Sequence, residues 1–579
     1  MKRCLKLWLS LILLGMAHLA GTAQGTSVKT ELPKGWHLLD KEKDGFYGVS
    51  VNKAYEFVKA KNLKSKTVLV AVIDSGVDTL HEDLKGILWV NPKEIPGNGI
   101  DDDHNGYIDD IHGWNFIGGK DGKNVKDDSQ EEARVYYEFK EKFEVAGLDS
   151  SSLSPEDKDN YRMWVKARRT VMGDGTESGV DLVILHKALS ACVKSDSILQ
   201  KAMGKTEYNG NDLDAFEAPT PEAKSAKSVI LYLFKANKIM DMSNKAFLND
   251  FTEQVEQEEK KAAAKESSPK DYRKDIVKDD ENDINDRYYG NNDVMAGDPM
   301  HGTHVAGIIG AERNNGKGMD GVANNVKIMM IRAVPNGDEH DKDIALAIRY
   351  AVDNGARVIN MSFGKNLSPE KKWVDSAVKY AESKGVLLIH AAGNDNSDVD
   401  SVDNFPNPNF KNTEYTASNW ITVGASSDPL AEPGFKSYTA SFSNYGKQEV
   451  DVFAPGTRIY STLPPQGEKT PGSVHKDYGN LQGTSMAAPV VTGVAALILE
   501  YYPNLTPQQV KYCIEKSAVS PGAKVKKPGT EDEWVDLSSI SRSGGIINAY
   551  EAVKLASTLN TDPRKKEKLE RSTLHTSKD

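Results

Sequence analysis

Gly483-Thr484-Ser485-Met486-Ala487-Ala488-Pro489 is the stretch on which the fold turns. It sets a serine just before a run of small and apolar residues, Met486 to Leu499, whose composition predicts a buried helix. A helix N-terminus favours negative charge developing beside Ser485. Gly483 lets a bound chain approach the backbone closely. A serine N-cap would account for Ser485 but not for the glycine, alanines and proline around it. Upstream, His301-Gly302-Thr303-His304-Val305-Ala306-Gly307 opens a second apolar helix. Further upstream, Ile73-Asp74-Ser75-Gly76 ends the β-branched run Thr67 to Ile73. Such a run reads as a buried parallel strand. Asp74 then falls at its C-terminal edge, where open α/β sheets carry their sites.

The three segments supply an acid, a base and a nucleophile in the chain order Asp, His, Ser. A serine hydroxyl is a poor nucleophile at neutral pH and needs a base whose tautomer a third group fixes. Two further segments accompany them. Val386 to Ile389 reads as a strand running into Ala391-Ala392-Gly393-Asn394, and Ile359-Asn360-Met361-Ser362-Phe363-Gly364 is the other. Together these motifs make the chain resemble a subtilisin-like serine protease, a subtilase, over residues 46–117 and 287–559. The resemblance implies a three-layer α/β fold with a mostly parallel central sheet. It implies hydrolysis of peptide bonds through an acyl-enzyme, with protein or peptide substrates. Ser485 is then the nucleophile, His301 the general base, Asp74 its orienting carboxylate and Asn394 the oxyanion donor. His304 becomes a structural, hydrogen-bonded histidine. Ser362, Phe363 and Gly364 resemble the family's edge segment, which pairs with substrate backbone as an added strand, and Gly393 is expected to bind substrate with them. Glu414 falls where the family lines the floor of the pocket for the residue before the scissile bond. A buried carboxylate there would favour Lys or Arg.

Between the first two motifs the chain departs from the family. After Trp114-Asn115-Phe116 it leaves the pattern and returns near Asp298. Residues 118–286 are rich in Glu, Lys and Ala. Val135, Tyr136, Phe139 and Phe143 share one helical face, and 180–203 and 221–259 show similar periodicity. Three to five helices are expected, forming a lobe inserted into the catalytic domain. That lobe is expected to shield the cleft, assist folding or recruit substrate. Elsewhere strands are predicted over 326–334, 356–363, 386–389, 420–423 and 450–453, with helices over 51–61, 343–354, 371–384 and 550–556. Strands alternating with helices argue for a parallel sheet.

Asp101, Asp103 and Asn105 alternate before Gly106, and the Tyr107 carbonyl can follow them. Such oxygen donors suit calcium. His112 stands where a closing glutamate would be, so Asp110 or Asp109 must close the site. The segment is similar to a calcium loop of some subtilases, and Asp83 matches a second calcium ligand of the family, with Asn314 or Asn315 available to join it. No Cys or His cluster suggests zinc.

The 579 residues carry a net charge of −11 and no basic stripe, which argues against nucleic acid. A mean hydropathy of −0.53 excludes a multi-spanning membrane protein. Lys2 and Arg3, the apolar stretch Leu5 to Leu14 and the small residues Gly21-Thr22-Ala23 read as a signal peptide over 1–23. An exported protein with no membrane span after cleavage is therefore expected. Residues 24–45 read as a polar arm and 560–579 as a charged tail. About fifty residues separate Ala23 from Asp74, too few for the family's usual prodomain. Cys192 and Cys513 are expected to be free and buried. The rival to a serine endopeptidase is a silent or autoinhibited protease-fold binding protein gated by the insertion.

Overall fold

The structure, a computed structural model, describes residues 32–559 except 174–181, 207, 238, 241–242, 432–434, 466–473 and 531. The expected signal peptide, most of the arm and the charged tail lie outside the described residues.

The apolar runs become a seven-stranded sheet. Its strands are β1 (Val68–Asp74), β2 (Gly113–Asn115), β3 (Val326–Arg332), β4 (Val358–Met361), β5 (Leu387–Ala391), β6 (Trp420–Ser426) and β7 (Val452–Pro455), in the order β2-β3-β1-β4-β5-β6-β7. Every pairing is parallel. Parallel sheets need helices on both faces, and β1 shows both. Val70 and Val72 pack into one apolar cluster, Ala71 and Ile73 into the other.

Along the chain the longer helices are α1 (Val51–Ala60), α2 (Glu131–Phe143), α3 (Pro155–Met172), α4 (Leu182–Met203), α5 (Gly210–Ala215), α6 (Pro221–Ala236), α7 (Asn244–Glu266), α8 (Met300–Gly310), α9 (Asp341–Asp353), α10 (Lys371–Ser383), α11 (Thr484–Tyr501), α12 (Pro507–Lys516) and α13 (Ala549–Leu559). The first face carries α1, α8, α11, α12 and α13, and the second carries α9 and α10. Helix α11 has a mean hydropathy of 1.4 over 18 residues and is 89% buried, so its apolarity belongs to the core. An antiparallel pair, β8 (Ile459–Leu463) and β9 (Asp477–Leu481), lies against α8, where Ser461 and Thr462 donate to the carbonyls of His304 and Thr303. Cys192 and Cys513 are free and buried.

Helices α2 to α7 occupy the stretch between the first two motifs. Six described helices exceed the three to five expected, because 221–259 divides into α6 and α7 and because α3 and α5 were not foreseen. They form two apolar clusters. One joins α4, α5, α6 and α7 through Leu199, Leu213, Phe234 and Phe251. The other joins α2 and α3 through Tyr136, Phe143 and Trp164, and it includes Leu367 from the sheet side of the molecule. The chain leaves the sheet beside the place where it comes back, since the Asn115 amide donates to the Asn291 carbonyl at 2.9 Å.

Candidate active site

Asp74 is the last residue of β1, only 2% exposed. Its Oδ1 accepts from the Ser75 amide at 2.7 Å and from His301 Nδ1 at 2.8 Å. The partner arrives on the first turn of α8. That turn closes on the Asp74 loop because residue 302 is glycine. A Cβ there would stand 2.2 Å from the Gly76 carbonyl and 3.1 Å from Asp74. Thr303 cements the contact, its hydroxyl donating to the Pro299 carbonyl and accepting from the Asp78 amide. His304 points the other way and is fully buried. Its Nε2 donates to the Gly479 carbonyl at 3.2 Å, and burial pushes its pKa down to about 3, so the ring is neutral.

Ser485 sits in the first turn of α11. Gly483 before it has φ 148°, a conformation that side chains rarely tolerate. Ser485 and Ser362 hold one another. The Ser485 hydroxyl donates to the Ser362 carbonyl at 3.1 Å, and the Ser362 hydroxyl donates to the Ser485 carbonyl at 2.9 Å. Asn360 Nδ2 donates to that Ser362 hydroxyl and receives Thr492 on its Oδ1, so β4 and α11 are tied behind the serine.

Asn394 follows β5 and is oriented by Thr484. Its Oδ1 accepts from the Thr484 amide at 2.8 Å and from the Thr484 hydroxyl at 3.0 Å, while that hydroxyl also accepts from the Gly393 amide. With the amide oxygen committed, Nδ2 is the donor left over, and the whole amide lies beside Gly483, Nδ2 at 3.5 Å and Oδ1 at 3.7 Å from where a Cβ on that glycine would stand. Asn444 shapes the loop beyond by accepting from the Asp395 and Ser397 amides. Thr484 and Asn444 were not singled out from the sequence. The only cue to Thr484 was its place beside Ser485.

Within the 359–364 segment, residues 359–361 are interior to the sheet, because β4 pairs with β1 on one side and β5 on the other. Only Ser362, Phe363 and Gly364, beyond the last paired residue, are free of the sheet. The Phe363 carbonyl accepts from His390 Nε2 at 2.8 Å, and Gly364 is exposed. Glu414 is exposed on the loop between Phe410 and Ala417, so it provides no buried carboxylate. Asn404 faces the Ser362–Gly364 wall instead. Its Oδ1 lies 2.8 Å from where a Cβ on Gly364 would be, and its Nδ2 donates to the Ala392 carbonyl at 3.0 Å. Chain order alone had placed Glu414, and the path of the 395–416 loop cannot be read from order. Next to this loop opens a cleft of about 860 Å³, walled by Val165, Lys166 and Arg169 of α3 on one side and by Asp395, Asp403 and Asn404 on the other. Lys166 is paired with Asp403 across it.

In the 91–112 loop, Glu94, Asp101 and Asp103 bring carboxylate oxygens within 4.8 Å of one another. Glu94 was missed because it precedes the alternating acids by several residues. One of its oxygens accepts from the Asp102 and Asp103 amides, and the other, Oε2, is buried with no partner. A buried orphan carboxylate oxygen beside two more carboxylates is a donor set for a hard cation. Asn105 lies next to the group, its amide donating to Asp101 and Asp103, and its Oδ1 accepting from the Tyr107 amide. Asp110 does not close this group. It accepts from Asn91, Asn105 and Tyr350, and burial raises its pKa to about 6. Asp109 is taken by the amides of Gly97, Asn98 and Gly99. Asp83 is likewise committed to donors, to Asn315 Nδ2 and the Tyr478 hydroxyl, each at 2.7 Å.

The subtilase family profile matches residues 65–539. The chain belongs to the subtilase family. Among curated relatives, this subtilase is 38% identical over 263 residues to the thermophilic serine proteinase of Bacillus sp. (strain AK1), covering 44% of this chain and 53% of that protein. It is 33% identical over 255 residues to thermitase of Thermoactinomyces vulgaris, covering 44% and 75%. It is 36% identical over 286 residues to an extracellular protease of Xanthomonas campestris pv. campestris, covering 46% and 43%. The match thus spans about half the length of the first and third of these relatives.

Proposed function

We propose that this subtilase is an exported serine endopeptidase that cleaves protein or peptide substrates. The observation that carries the reading is the 2.8 Å contact of His301 Nδ1 with buried Asp74, made across 227 positions of sequence. A carboxylate there fixes the proton on Nδ1 and leaves Nε2 as the base. Ser485 Oγ would attack the scissile carbonyl while His301 takes its proton and passes it to the leaving amine. Asn394 Nδ2 and the Ser485 amide would receive the oxyanion, and water would then release the acyl group. Ser362, Phe363, Gly364 and Gly393 would line the substrate path, with Asn404 in place of Glu414. Export is supported by the signal-like N-terminus and by the extracellular protease among the relatives.

The donor set further supports calcium, held by Glu94, Asp101 and Asp103 with Asn105 and the Tyr107 carbonyl at hand. Bound there, the ion would serve structure by cross-linking the loop between β1 and β2.

A serine-reactive fluorophosphonate tests the reading. Labelling of the folded protein that disappears in Ser485→Ala is expected, together with cleavage of an unstructured protein substrate. Folded protein that takes no label would overturn it in favour of a silent fold gated by the insertion.

A further inference from the structure

The residue after Gly364 has no part in the chemistry above, yet it is held by both its backbone and its side chain. Lys365 exchanges two backbone hydrogen bonds with Phe405, at 2.9 and 2.8 Å. It thereby joins the Ser362–Gly364 wall of the cleft to the wall carrying Asn404. Its side chain runs away from the cleft, 2% exposed, into a buried set of charges. There Nζ meets Glu131 Oε2 at 2.6 Å, Asp341 Oδ1 at 2.9 Å and the Glu339 carbonyl at 2.8 Å.

Glu131 is the first residue of α2, the opening helix of the insertion. Its carboxylate is gripped by Arg134, and its amide donates to Asp338 at 2.7 Å. Asn366, the next residue along, donates to Glu132 Oε1 at 2.9 Å. Two successive residues after the cleft segment are thus bonded to two successive residues at the start of the insertion. Burial alone would discharge both members of the ion pair. Instead, Arg134 and Lys365 hold the Glu131 carboxyl well below its usual range, and Asp341 and Glu131 hold the Lys365 ammonium above its own.

We propose that Lys365 is a positioning residue, and that the Glu131–Lys365 pair is how the helical insertion sets the geometry of the substrate cleft. The proposal rests on the protease reading above. Breaking one side of a buried pair leaves a charge that must move toward water or toward another partner. A shift of Lys365 toward Asp341 would carry both cleft walls with it, while Asp74 and His301 hold one another and the Ser485 backbone is fixed in the first turn of α11.

The test compares mature Glu131→Gln with the unaltered protein and with Phe251→Leu, a stability control in the α4–α7 cluster. Two rates are read at a temperature where all three are folded. One is labelling of Ser485 by a small fluorophosphonate that spans no peptide subsites. The other is turnover of a peptide long enough to lie along residues 362–364. Glu131→Gln is expected to raise KM about tenfold while labelling stays within about twofold, and Phe251→Leu is expected to change neither. KM within twofold of the unaltered protein, with Ser485 still labelled, overturns the proposal. So does a parallel loss of labelling and turnover that Phe251→Leu reproduces at matched stability. Absence of labelling in the unaltered protein instead overturns the protease reading itself.

Discussion

At the scale of single residues, the site divides into groups that would react and groups that hold them. Asp74 belongs to the second kind. Asp74→Asn keeps the shape of the contact to His301 but offers an amide that can present the wrong partner to Nδ1. Turnover should fall about 10⁴-fold with the fold intact, read as kcat on a peptide substrate beside an unchanged circular dichroism spectrum. Thr484 makes a finer test. Thr484→Val keeps the side-chain volume and removes the hydroxyl that fixes Asn394 Oδ1 and the Gly393 amide. Asn394, the proposed oxyanion donor, would then be freer to turn and lose roughly one hydrogen bond's worth of orientation. The expected outcome is a kcat about tenfold lower with KM nearly unchanged. No further loss when Thr484→Val is added to deletion of the Asn394 amide would show that Thr484 acts wholly through Asn394.

At the scale of elements, α11 carries both Ser485, the proposed nucleophile, and a buried acid at its far end. Glu500 Oε1 accepts the Asn324 and Asn325 amides, while Oε2 is buried without a partner. Burial raises its pKa to about 7, and the amides offset only part of that. Between the unfolded value near 4.5 and the folded value, the native state binds the extra proton. The stability this group contributes is therefore present below about pH 4.5 and is lost as pH rises through 7. Glu500→Gln should match the unaltered protein near pH 5 and exceed it by about 1–3 kcal/mol near pH 8, read by denaturant titration at both pH values. The same helix shows what was legible in the sequence. Its unbroken apolarity and small residues announced a buried element, as the β-branched runs announced β1, β3 and β4. Helix α3 stayed hidden because only Trp164, Ala167 and Val171 are buried on it among many charges. Its start was written in Ser154-Pro155-Glu156, where the serine caps the Asp157 amide. Helix α12 carried a similar signal, a Thr506–Gln509 capping box. For the site, the motifs bring Asp74 to His301 and Ser485 to Ser362, because each motif fixes a local backbone shape. Glu94, Thr484 and Asn404 were not legible, because their roles depend on how loops fold back over one another.

At the scale of the whole molecule, the insertion and the acidic loop both enter between β1 and α8, and each is tied to the second face of the sheet. The insertion is tied through Glu131 and Lys365. The loop is tied through Asp110, which receives Tyr350 of α9 at 2.6 Å, and through the Asp109 carbonyl, which receives Asn292 Nδ2 at 3.0 Å. A cation on Glu94, Asp101 and Asp103 would bind the folded loop and not the unfolded chain. It would then stabilise by about 2.7 kcal/mol at a hundredfold excess over its dissociation constant. Chelation with EGTA should lower Tm by a few degrees and expose the 91–112 loop to cleavage, and calcium should restore both where magnesium does not. Glu94→Gln leaves the Asp102 and Asp103 amides an acceptor but removes the charge and the orphaned oxygen, so its Tm should no longer respond to EGTA. Asp110→Asn should behave differently. It would lower Tm with and without EGTA alike, because Asp110 holds the loop to Tyr350 and Asn91 and not to the ion. If Asp110→Asn abolished the EGTA response while Glu94→Gln kept it, the ligand set would be the one read from the sequence, and the loop would have to rearrange around the ion on binding.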